Sequence, residues 1–208
     1  MDNVVNTFYQ RQAELIAHLL NAKELSLAQD AEEMLQKNLP LAAASFFEHQ
    51  ICHLLRVFVA KKTHSCEELI SFFEQKAINR QYHALFEWER PNANKFFAHF
   101  GEDFKQLASK AVAGDTELTR AMKDFLELGN IRNQIVHKNY ADFRADKSST
   151  EVYRMFVSAC DFVRFLESEL ASRMVNPTYR HLPSELDSLR VFPVVPKNFS
   201  PELQRPPG

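Results

Sequence analysis

The tightest constraint on this chain is an arginine set inside a helical apolar stripe. From Phe125 to Tyr140 the sequence reads FLELGNIRNQIVHKNY. At about 100° per residue, Leu128, Ile131 and Ile135 share one face, with Phe125 and Val136 at its edge. Arg132 projects from within that face, between the directions of Ile135 and Val136. Arginine is almost never fully buried without a partner. The segment therefore reads as a helix that packs on a core and still gives a guanidinium company. Asn133 and His137 lie four apart and share a neighbouring face.

The remaining chain reads as helical as well. Four glycines in 208 residues, with 25% charged residues, favour helices over a turn-rich β fold. The spacing predicts one or two helices over 4–38, with stripes at Leu15, Ile16, Leu19, Leu20 and at Leu27, Ala31, Met34, Leu35, and a bend at Asn21. Pro40 suits the first turn of a following helix, about 40–60, striped by Phe47, Ile51, Leu54 and Phe58. Ser65 and Glu68 form a capping box ahead of a helix from about 66 into the 80s, which breaks around Pro91. Phe96, Phe97 and Phe100 continue in a short helix, and Gly101 turns the chain into a helix over 102–112. Asp115 or Thr116 caps the helix that carries the opening segment, with Gly129 softening it. A polar connection, 141–149, leads to a second capping box, Ser148 to Glu151. The last helix then runs to about Arg173, striped by Val152, Phe156, Ala159, Val163 and Leu166 or Leu170. The aromatic run over 82–104 reads as core packing rather than base stacking. Seven of the nine prolines follow Asn176. The expected organisation is a single helical domain over 1–175, its N-terminal extension at about 1–38, and an irregular proline-rich tail over 176–208.

Charge and cysteine usage narrow the function. A net charge of −2 and a pI near 6.5 carry no global signature of nucleic-acid binding. Between Asn130 and Arg154, five Lys/Arg face three acids, a local excess of +2 that does not oppose a polyanion. Cys52, Cys66 and Cys160 are far apart and read as buried reduced thiols. His49 and His53 stand four apart on the 40–60 helix without a third ligand, so no metal or other cofactor is expected. No membrane span or signal peptide is legible, and a cytoplasmic protein is the expectation.

Arg132-Asn133-Gln134-Ile135-Val136-His137 resembles the Arg-x(4–6)-His signature of HEPN domains, in which a polar residue such as Asn commonly follows the arginine. The position on a late core helix with one long helix after it is similar too, and the architectural resemblance covers roughly residues 40–175. Arg11 and His18 also fit the spacing, which is read as coincidence. Family members modified on tyrosine carry His-x-Tyr; here Tyr140 stands one residue further from His137. The resemblance implies an all-α, HEPN-like helical bundle and a ribonuclease of the kind found in bacterial toxins and antiviral defence.

The chemistry can be argued from the residues themselves. Metal-free RNA cleavage needs a base for the 2′-hydroxyl, a cation for the charge building on phosphorus, and an acid for the leaving 5′-oxygen. Histidine exchanges protons near neutrality, and the arginine fork matches phosphate oxygens. Arg132 and His137 are the candidate catalytic pair, with Asn133, Lys138, Tyr140 and Glu48 in support, Glu48 as a carboxylate that orients Arg132. On a straight helix Arg132 and His137 point about 140° apart. The resemblance implies two copies that share a cleft at a twofold interface. The expected activity is a homodimeric, metal-independent endoribonuclease leaving a 2′,3′-cyclic phosphate, its substrate RNA, with room for an antitoxin or an operon-encoded partner. The alternative is a non-catalytic HEPN-like scaffold that binds a protein or a nucleotide. A plain helical adaptor with a chance motif is the third reading.

Overall fold

The computed structural model describes residues 3–79 and 81–175, so the expectations for the proline-rich tail lie outside the described residues. Those residues form α1 (Val4–Asn21), α2 (Leu25–Lys62), α3 (Glu67–Phe73), a π-helical turn (Glu74–Ile78), α4 (Tyr82–Leu85), α5 (Asn94–Ala98), α6 (Glu102–Gly114), α7 (Thr116–His137) and α8 (Ser149–Val175). No strand occurs among them, and they form an all-α bundle, as expected. Met1–Val175 forms one compact unit.

Local chemistry sets several boundaries as expected. Asp115 Oδ1 accepts from the Glu117 and Leu118 amides at 2.9 and 3.0 Å, so the first turn of α7 is satisfied. At the start of α8 the Ser148 amide donates to Glu151 Oε2 (2.8 Å) while the Glu151 amide donates to Ser148 Oγ (3.3 Å), a reciprocal box. The α8 stripe is buried in full, with both Leu166 and Leu170 in it.

Other expectations are corrected. Pro40 does not begin a helix: α2 runs through it for 38 residues. Leu39, Pro40, Ala43 and Ala44 are all buried, and that packing outweighs the hydrogen bond the proline cannot make. The Ser65 capping box does not form, because His64 and Ser65 take left-handed backbone angles (φ 49° and 60°) and Cys66 becomes the N-cap. The helix expected from 66 into the 80s is divided into α3, the π-turn and α4. Half of the stripe residues expected over 4–38 are uncovered: Leu15, Leu20, Leu27 and Met34 are exposed, Ile16, Leu19 and Ala31 are half-buried and Leu35 is buried, with Val5 and Ala28 also in the core. The three cysteines are free and half-buried rather than fully buried.

The centre of the bundle is aromatic. Phe47 of α2 lies 5.3 Å from both Phe125 of α7 and Phe156 of α8, and Phe125 lies 5.3 Å from Phe162 of α8. Such tilted pairs add about 0.5–1.5 kcal/mol each beyond their buried area. They fix α7 against α2 and α8, and so fix the direction in which the end of α7 leaves the core.

Candidate functional site

Towards its C-terminal end α7 passes from core to surface. Phe125, Leu128 and Ile135 are buried, Ile131 to Gln134 are half-buried, and Val136 and His137 are exposed. Arg132, in the apolar stripe, finds company beside it: its Nη1 donates to Asn133 Oδ1 at 3.1 Å. Among the described residues no ion pair joins it to Glu48 directly. Glu48 is half-buried on α2, and its charge and that of Arg132 both bear on Tyr82 and His83. His137 closes the last turn of α7, and Lys138 follows as its exposed, extended C-cap.

Asn133 and His137 open onto one cleft of about 440 Å³, walled on the other side by Glu87, Trp88, Glu89 and Arg90. Arg132 does not line it. Glu87 and Glu89 thus line the same cleft as His137, Glu87 paired with Arg90 at 3.3 Å. Tyr140 lies beyond, its hydroxyl donating to Asn38 Oδ1 at 2.9 Å and its ring under Lys37 Nζ at 5.4 Å. His49 and His53 are exposed on α2. No group of three or more His, Cys, Asp or Glu side chains suited to a metal ion occurs among the described residues.

The segment between the π-turn and α5 supplies residues that the sequence did not point to. Gly129 of α7 does not soften the helix; it admits Trp88, whose ring carbons would lie 2.1 Å from any Cβ there. Trp88 Nε1 in turn donates to the His83 carbonyl at 2.9 Å. His83 is thus tied through Trp88 to α7 at Gly129, and the charges of Arg132, Glu48 and His137 bear on it. Burial, and after it the Arg132 charge, pull its imidazole below the ordinary range, Glu48 opposing. Burial, then Glu48, push the Tyr82 hydroxyl well above its usual value, and the same two causes raise the Cys52 thiol. The Phe86, Phe96 and Phe97 rings are buried in the core, as expected of the aromatic run.

The RiboL-PSP-HEPN family profile matches residues 6–172, and the chain belongs to that family. The match takes in α1 as well as the bundle from α2 to α8. No curated protein and no solved structure matches the chain. Among the described residues, no helix is long and apolar enough to cross a membrane.

Proposed function

We propose that this protein is a metal-independent endoribonuclease that works as a homodimer and serves as a toxin or defence effector in the cytoplasm. The observation that carries the reading is the grouping of Arg132, Asn133 and His137 at the end of α7, with Asn133 and His137 opening onto one cleft, in a chain of the HEPN family. In this reading His137 moves a proton, and Arg132 neutralises the charge that grows on the phosphate oxygens. Asn133 orients the guanidinium, and Lys138 adds positive charge at the mouth. Glu48 acts on His83 through its charge, and Tyr140 ties the chain after α7 to α2 through Asn38. The divergence of Arg132 from the His137 cleft supports a composite site, completed by a second copy.

The test is cleavage of total RNA in EDTA by the wild type, Arg132→Ala and His137→Ala, with product ends mapped. Cleavage by the wild type alone, leaving 2′,3′-cyclic phosphate and 5′-hydroxyl ends, is the expected result. Cleavage that EDTA abolishes, or that His137→Ala leaves intact, contradicts it. A second reading, a non-catalytic scaffold for a protein or a nucleotide, is favoured by Glu87 and Glu89, whose charges oppose a phosphate in the cleft. Intact RNA with all three proteins, and dimers that survive both substitutions, would support that reading.

A further inference from the structure

The connection after α7 leaves a niche of about 130 Å³ between α2, α7 and the first turn of α8. Asn130 lines both this niche and the His137 cleft, so the two adjoin on α7. Pro40, Ile131 and Phe143 give the niche apolar walls, and three side-chain amides line it as well. Those of Asn130 and Gln134 have no hydrogen-bond partner among the described residues. Gln36 donates from Nε2 to Glu32 Oε1 at 3.1 Å. A carboxylate only accepts, so that contact fixes the amide nitrogen and leaves Gln36 Oε1 free to accept. Pro40 has no N–H, so the Gln36 backbone carbonyl also lacks its usual donor four residues on. One lysine, Lys147, stands against two carboxylates, Glu127 and Asp146, and is paired with Glu127 at 3.0 Å. That balance turns a phosphate away and admits a neutral group that both donates and accepts.

We infer that the niche is a nucleobase subsite, which takes a pyrimidine turned out of the strand next to the phosphate that Arg132 and His137 act on. The inference rests on the endoribonuclease reading and gives it a specificity: cleavage falls beside cytidine or uridine. Size selects the ring. A cavity of about 150 Å³ holds one benzene, so this niche takes a single six-membered ring and excludes the two rings of a purine. Its polar groups fit both pyrimidines. Cytosine and uracil carry donors and acceptors side by side on one edge, and an amide that turns over meets either, as Asn130 and Gln134 can. The fixed Gln36 oxygen accepts from the cytosine amino group or from the uracil ring N–H. The apolar walls cover the faces of the ring, as an unstacked base in single-stranded RNA requires.

The test uses the full-length protein and RNA oligonucleotides that differ at one position, a cytidine or uridine in a purine strand against adenosine there. The wild type is expected to cut beside the pyrimidine and to cut the all-purine strand roughly tenfold more slowly or less. Gln134→Leu keeps the size of the side chain and removes its amide. It should lower the pyrimidine-to-purine ratio of rates roughly tenfold, as expected for about one lost hydrogen bond. A merely structural loss would slow both strands alike and leave that ratio unchanged. Ala145→Phe, on the connection that lines the niche, should fill it and remove the preference. Cleavage indifferent to the base, or a preference that either folded variant keeps, overturns the subsite and leaves the ribonuclease reading standing. Wild-type protein that leaves RNA intact overturns both.

A second measurement needs no variant. The 2′-deoxy versions of the strands are titrated into the wild type while the side-chain amide NMR signals are followed. Gln36 and Gln134 should shift with the pyrimidine strand and stay fixed with the all-purine one. Signals of these two that stay fixed while Asn133 moves, or that shift equally with both strands, overturn the inference.

Discussion

Two connections flank the exposed end of α7, and they are fastened by different physics. The one before α5 is held by aromatic packing: Phe86 stacks on Phe96 at 4.7 Å and meets Phe125 at 5.0 Å, and Trp88 fills the space over Gly129. The one after α7 is held by polar ties to α2. Lys37 Nζ donates to the Ala141 carbonyl at 3.4 Å, and Arg144 pairs with Glu33 at 3.4 Å. The Ser149 amide and hydroxyl both donate to Glu32, at 3.1 and 2.9 Å. Apolar contacts resist salt and set distance to a fraction of an ångström, whereas exposed ion pairs contribute about 0–1 kcal/mol and are screened. The wall that carries His83 and Trp88 is therefore the rigid one, and the edge that carries Lys138 and Tyr140 is the adjustable one.

The comparison is broken most severely at Trp88. Trp88→Ala should cost about 3 kcal/mol in urea unfolding, the low end for a large aromatic because the ring is only half-buried. The same variant should free the His83 carbonyl and lower cleavage. Gly129→Ala comes next: with Trp88 carbons 2.1 Å from the new Cβ, the ring must move, and roughly 1–3 kcal/mol of stability should go with it. A stability unchanged by Gly129→Ala would mean that the aromatic wall is not rigid after all. On the polar side Lys37→Met keeps the apolar stem and leaves the Ala141 carbonyl short of a donor. It should cost about 1–2 kcal/mol, seen locally as faster amide exchange over 139–147.

The smallest effect is in pH. The folded state lowers the His83 pKa, so the unfolded chain binds more protons between the folded value and the ordinary value near 6.5. Stability should therefore rise with pH through that window, and below the folded value this contribution is lost in full and no longer changes with pH. His83→Gln should flatten this part of the urea-midpoint profile against pH.

What could be read in the sequence was whatever one helix contains. Arg132, Asn133 and His137 lie within two turns of α7, and the α8 stripe and the Ser148 box are local patterns, so periodicity and capping chemistry reach them. His83, Trp88 and the Glu87–Arg90 wall meet α7 only through tertiary packing across some forty residues, and no local signal announces that. Gly129 looked like a weak point because its partner was invisible. Pro40 looked like a helix start because the burial of its neighbours, which decides the matter, depends on α7 and α8. Ser65 failed as a cap for a backbone reason, a left-handed φ that its sequence context does not reveal.

The length of α2 has a consequence for how the protein assembles. At about 1.5 Å per residue it is a rod roughly 57 Å long, and its first half meets the connection after α7 across gaps of 104, 111 and 117 residues in the chain. Closing such loops costs entropy before any contact repays it. Those polar ties should therefore form after the folding barrier is crossed, and φ-values at Lys37, Glu32 and Glu33 should lie near zero. Loosening them should speed unfolding and leave refolding unchanged, so the edge beside Tyr140 is the last part of the bundle to close and the first to open.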